Sequence, residues 1–171
     1  MKVNDMIEIQ SVKEHKEIKN ELLRMFSKVK VARVVEGDNI SNSDYGLDIQ
    51  REYLNLVTSI ILPYTFKKQY RAQIVNAIWF QQYEKNDFHH WHIHGNSHFS
   101  HIYFVELPDK NSATEFYKDK LIKINVKEGD LVTFPSYMIH RAPKNKSKKR
   151  KSIISFNTTF DEVFTKNIKI D

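Results

Sequence analysis

The chain has no cysteine. Neither a disulfide framework nor a thiolate metal site can form, so any bound metal must be held by His, Asp or Glu. Long apolar runs are also missing. The longest, LVTSIILP, falls far short of the roughly 20 residues that a membrane span needs. MKVNDMIEIQSVKEH carries charges throughout and does not read as a signal peptide. The expected compartment is therefore the cytoplasm. Glycine is scarce, with four among 171 residues. No low-complexity linker or internal repeat divides the chain, and its length fits one domain with a core of its own.

Net charge is +6, from 27 basic and 21 acidic residues. Much of the excess sits in KNKSKKRK, Lys144 to Lys151. Such a run reads first as a solvated turn. Clustered Lys and Arg also attract phosphate, so a nucleic-acid contact is the alternative.

The pattern changes along the chain. In residues 1–70, SVKE (Ser11 to Glu14) has the form of a capping box. After it Ile18, Leu22, Phe26 and Val29 recur at helical spacing, with Met25 beside them. Tyr53, Leu56, Val57, Ile60 and Ile61 mark a second helix, which Pro63 should end or kink. From about Gln73 the segments QIVNAIWFQQY, SHIYFVEL, LIKINV, DLVTFP and SIISFNTTF read as short strands separated by turns. The expected fold is mainly β (α+β): a jelly-roll barrel core over 73–160, with the N-terminal helices as a buttress on an outer sheet.

FHHWHIHGNSH holds five of the eight histidines. In an extended chain alternate side chains share a face. His90, His92 and His94 would then point one way, and Trp91 and Ile93 the other. Two His at i and i+2 can reach one ion. His140, after DLVTFP and a turn, is the best third ligand from another strand. Three protein ligands on one face would leave positions open, as in a catalytic metal site. His89, His98 and His101 read as structural or exposed, and His90 as a group that orients a ligand.

These residues carry a resemblance. Residues 73 to 160 resemble the Fe(II)/2-oxoglutarate-dependent dioxygenase superfamily. The closest likeness is to uncharacterised bacterial and phage oxygenases with a His-x-His block, and a more distant one is to prolyl hydroxylases. YEKNDFHHWHIH is similar to the family's Tyr, turn and His-x-Asp or His-x-His block. SHIYFVELP, ATEFY, EGDLVTFPSYMIH and RKSIISFN resemble the strands that follow. The resemblance implies a double-stranded β-helix and Fe(II) held by His92, His94 and His140. It implies 2-oxoglutarate as co-substrate, held at its far carboxylate by Arg150 and Ser152, with Tyr83 and Asn76 assisting. With O2, such a protein would hydroxylate a substrate and release succinate and CO2. Most of the superfamily has a carboxylate where this chain has His94. Asp87, just before the block, is out of register with the metal. The prime substrate is not legible: a protein side chain, a nucleic acid or a small molecule all suit. If the chain is phage-encoded, the compartment is the host's cytoplasm. Two other readings stand beside this one. One is a three-His metal enzyme of cupin type that does not use 2-oxoglutarate. The other is a jelly-roll binding module without chemistry.

Overall fold

A strand with apolar side chains at both parities must be covered on both faces. QIVNAIWFQQY and SIISFNTTF are such strands, and the fold covers the second along its length and the first from Trp79 onward. The computed structural model describes residues 6–29, 38–67, 69–163 and 165–167. Its strands are β1 (Glu8–Ser11), β2 (Asn42–Ser43), β3 (Gln73–Tyr83), β4 (His89–His92) and β5 (Phe99–Glu106). They continue with β6 (Glu115–Lys118), β7 (Lys120–Lys123), β8 (Asp130–Pro135), β9 (Ile139–Ala142) and β10 (Lys151–Phe160). Two sheets form, ordered β1-β8-β5-β10-β3-β2 and β4-β9-β6-β7, and the pairings between their neighbouring strands are antiparallel.

The larger sheet separates two cores. On its outer side lies α1 (His15–Phe26), whose Ile18, Leu22 and Phe26 are buried. Beside it runs α2 (Leu54–Leu56), continued by a π turn (Val57–Ile61) and a 3-10 turn (Leu62–Thr65) that contains Pro63. These helices pack on Phe80, Tyr103, Leu131, Ile154 and Phe156. On the inner side Phe104, Phe134 and Ile153 meet Phe116, Met138 and Ala142 of the smaller sheet and its approach. The helical buttress and the strand-rich back thus fold as expected.

Three local expectations need correction. Ser11 does not cap a helix. It belongs to β1, and its Oγ donates to Asp130 Oδ1 at 2.6 Å. Glu14 is the N-cap of α1 but makes no side-chain capping bond, because its carboxylate accepts from the Tyr64 hydroxyl at 2.7 Å. The front seventy residues are also not purely helical. They supply β1 and β2, the two edges of the larger sheet. Finally, LIKINV is a strand only as far as Lys123.

The buttress is fastened to the sheet by one carboxylate. Asp44 is fully buried. Its Oδ1 accepts from the Phe80 N–H at 2.8 Å and its Oδ2 from the Tyr53 hydroxyl at 2.5 Å, with Arg51 Nε 2.9 Å from Oδ2. Burial and the adjacent carboxylate push the Tyr53 hydroxyl pKa up, so it stays a donor. Removing this acceptor strands a buried N–H, a buried hydroxyl and a guanidinium together. Asp44→Ala should cost about 3–5 kcal/mol, read as a fall in the urea midpoint at unchanged slope. Asp44→Asn keeps an acceptor for Phe80 and should cost less.

Candidate metal and co-substrate site

Strands β4 and β9 lie side by side, with His92 opposite His140. His94 follows β4, placed by its N–H, which donates to the Ser136 carbonyl at 2.9 Å. The ring centroids are 4.2 Å apart for His92 and His140, 5.1 Å for His92 and His94, and 5.2 Å for His94 and His140. One ligating atom from each lies within 4.8 Å of the others. The three histidines that the sequence singled out do converge.

Hydrogen bonds fix which nitrogen is free. His92 Nδ1 is 2.7 Å from the His90 carbonyl, and His140 Nδ1 is 2.8 Å from the Met138 carbonyl. A carbonyl only accepts, so each Nδ1 carries the proton and each Nε2 keeps its lone pair for a metal. Burial then keeps the rings neutral. It lowers His92, takes His140 well below the usual imidazole range, and lowers His94 to about 4, where the neighbouring His92 adds to the effect. Three neutral imidazoles with a ring nitrogen each within 4.8 Å of the others are a donor set suited to a borderline divalent cation, and Fe, Zn, Cu and Ni all accept it.

The surrounding histidines take different parts. A register shift between His89 and His92 breaks the simple alternation. His90 is turned to solvent, so its backbone carbonyl, not its ring, orients His92. His89 does what His90 was expected to do: its ring stacks on His92 at 4.0 Å and its Nε2 sits 3.2 Å from the buried Asp38 carboxylate. The Asp38 charge thus reaches the cluster through the His89 ring. Burial is the main cause that lowers His89 to about 4, with His92 next. His101 is structural as expected, held between Thr133 and Thr158 at 2.9 and 2.8 Å. His98 accepts from the Phe160 N–H at 3.1 Å. Asp87 accepts from the Ser41 hydroxyl and the Glu84 N–H and shapes the turn before β4.

The cavity beside the cluster is walled by inward residues of β3 and β10: Trp79, Gln81, Tyr83, Ile153, Ser155 and Asn157. Tyr83 is among the residues that line it. Arg150 and Ser152 do not face the cavity. Both bind Glu106 Oε2, Arg150 Nε at 3.0 Å and the Ser152 hydroxyl at 2.5 Å. Period two dictates this: with Ile153 inside, Ser152 must face the other way. Asn76 is exposed and accepts from the Thr159 hydroxyl at 2.8 Å, next to the bulge where β10 slips against β3.

The residue with the inward parity is Lys151. It is fully buried, opposite Tyr83, with Nζ 4.2 Å from the Tyr83 ring centroid. Nζ donates to the Ser112 carbonyl at 2.8 Å, and burial lowers its pKa to about 7. The Tyr83 hydroxyl is buried, with no hydrogen-bond partner among the described residues. An amine with one acceptor beside a hydroxyl with none is a pair of donors short of an anion. Lys151 was hidden in the sequence by the basic run it ends. Its only signal was parity with Ile153.

No family model and no curated protein matches the chain. Solved structures do. A viral collagen prolyl hydroxylase from Paramecium bursaria Chlorella virus-1, in its 2OG complex, aligns with 90% of this chain and 94% of its own, at 13% identity and a TM-score of 0.63. A Pseudomonas putida prolyl-4-hydroxylase aligns with 92% of this chain and 96% of its own, at 14% identity and a TM-score of 0.59. A 2OG-Fe(II) oxygenase family protein from Burkholderia pseudomallei aligns with 91% of this chain and 84% of its own, at 8% identity and a TM-score of 0.68. No described helix is long and apolar enough to cross a membrane. With its two antiparallel sheets and helical buttress, the chain has the double-stranded β-helix fold of the 2-oxoglutarate and Fe(II) oxygenases, reached at low sequence identity.

Proposed function

We propose that the protein is an Fe(II)- and 2-oxoglutarate-dependent oxygenase, a hydroxylase in the simplest case. One observation carries this reading. Three neutral histidines bring ring nitrogens within 4.8 Å of one another, near a buried Lys151 and a Tyr83 hydroxyl without a partner among the described residues, within a fold that houses this chemistry elsewhere. His92, His94 and His140 would hold the metal. Lys151 and Tyr83 would take the far carboxylate of the co-substrate, in place of Arg150 and Ser152.

When bound, iron and 2-oxoglutarate supply the oxidation: O2 is split between the substrate and the co-substrate, which leaves as succinate and CO2. The chain itself supplies position and polarity. The carbonyls of His90 and Met138 hold two imidazoles in the ligating tautomer. The buried walls exclude water, so a charge-assisted bond from Lys151 is worth more than at the surface. Tyr83, its ionisation pushed up by burial, remains a proton donor. The metal set brings no negative charge, so a dianionic co-substrate would offset the charge that the protein leaves in place. Metal and co-substrate should therefore strengthen each other's binding, and by linkage equally.

The first test is an anaerobic titration of Fe(II) and then 2-oxoglutarate, followed by the visible charge-transfer band of a chelated 2-oxo acid. Wild type should give a saturable band. Lys151→Met should need at least about tenfold more co-substrate, the loss of one charge-assisted bond, while keeping its metal. Arg150→Ala should titrate like wild type; a matching loss there would restore the arginine as the carboxylate partner. Iron binding without a band would favour the three-His enzyme that does not use 2-oxoglutarate. His94→Ala should lose stoichiometric metal, and His94→Asp should keep it.

The titration of Lys151 sets a pH dependence. A carboxylate prefers the ammonium form, which is half-populated near pH 7 and predominates below it. Above that pH, binding must take up a proton. The dissociation constant for 2-oxoglutarate should thus be flat below pH 7 and rise above it, by up to about tenfold per pH unit. For folding the sign differs. Between the folded value and the ordinary one near 10.5 the unfolded chain holds more protons, so this group's contribution to stability rises with pH across that window. Isothermal titration at pH 6, 7 and 8 checks the first statement.

A further inference from the structure

The smaller sheet has a second face, turned away from the cavity. Phe116 and His140 pair with each other and face inward, so their chain neighbours Tyr117 and Ile139 face out, as do Glu115, Arg141 and Lys123. Trp91 joins them from β4. Its ring lies 6.1 Å from that of Tyr117, and the Arg141 guanidinium sits 4.4 Å over it. Trp91 is 38% exposed, Ile139 42%, Tyr117 46% and Tyr137, in the turn before β9, 65%. Three aromatic rings on one open sheet face are not a packing requirement, because the core lies on the other side.

Cations surround this platform. Lys118 and Lys120 stand at the tip of the β6–β7 hairpin and are exposed. Beside the platform runs a groove whose wall includes Phe88, Lys123, Arg141, Lys144 and Lys146. The Lys144 ammonium lies 5.5 Å from the Phe88 ring centroid. Of the acidic groups here, Glu115 is held by Arg141 at 2.7 Å and Lys123 at 3.6 Å, and Asp109 accepts from Asn111. Asp119 sits between the two hairpin lysines. The balance of the face is positive.

We infer that this outer face binds single-stranded nucleic acid, with bases stacked on Trp91, Tyr117 and Tyr137 and phosphates held by the flanking lysines. Exposed flat rings interleaved with cations are what a single strand needs, since every base has a face to stack and every nucleotide a charge. An acidic peptide fits less well. Carboxylates are best taken by a free, planar guanidinium. Arg141, the arginine on this face, is already held by Glu115 and Trp91, and the remaining cations are lysines. A duplex fits poorly too, because its bases are not open to stacking. The site is independent of the metal and of the proposed oxygenase activity.

The test is fluorescence anisotropy with labelled oligo-dT and oligo-U of about twelve nucleotides, on the full chain with chelator present. Saturable binding is expected, and it should fall steeply between about 50 and 200 mM salt. Trp91→Ala and Tyr117→Ala should each weaken it about tenfold, with Trp91→Phe close to wild type. Lys144→Glu with Lys146→Glu should weaken it and flatten the salt dependence, while Lys16→Glu on α1 should not. Unchanged thermal midpoints separate lost binding from lost folding. A preference for oligo-U or oligo-dT names the sugar within the same proposal. Absence of saturable binding at about 50 mM salt overturns it. So does binding that ignores both aromatic substitutions, which would be bare charge attraction. So does equal competition by poly-glutamate, which would assign the face to an acidic protein.

Discussion

Strand β10 is hydrogen-bonded on both sides, to β3 and β5, and has a core on each face. Nothing along it can turn over without exchanging two cores. Ile154 and Phe156 go to the helices, and Ile153, Ser155 and Asn157 go to the cavity. That alternation puts Lys151 inside and Ser152 outside, whatever chemistry each is suited to. A one-residue slip would bury Phe156 in the cavity and put Asn157 under the helices, each at a cost of several buried groups. The site is thus addressed by packing, and the side chains that look best suited to it in sequence have no vote.

Burial also sets the charge state of the site. His92, His94, His140 and Lys151 are all depressed by the same cause, loss of water around the charged form. For the imidazoles this removes the proton that would compete with a metal. For the lysine it stores an unmet preference for a negative partner. Both effects act in the same direction, toward accepting a cation and then an anion. Asp38 stays one ring removed from the cluster, behind His89. A carboxylate in the cluster would lower the charge at a bound metal and weaken its pull on a dianion; in the proposed enzyme three imidazoles would leave the two ligands to depend on each other.

How much of this was legible follows the range of the signals. The strands were plain because β-branched and aromatic runs are local. The histidine cluster was plain because two members lie at i and i+2 and the third follows a recognisable strand and its turn. Lys151 was missed because RKS offers a charged or polar group at both parities, and the parity is decided by residues that pair from β3 and β5. His90 was placed inside because alternation was carried across a register shift that nothing in HHWHIH announces. Ser11 passed for a helix cap because its competing partner, Asp130, lies far along the chain. In each case the local pattern was real, and a contact distant in sequence overrode it.

The same alternation gives β4 and β9 two roles. His92 and Trp91 are chain neighbours, as are His140 and Arg141, yet one of each pair faces the cavity and the other the open side. Two routes would couple the faces. The field of a polyanion on the outer face acts on the inner one through the sheet itself, where buried charges are screened much less than exposed ones. The strand also cannot shift on one side without moving the residues on the other.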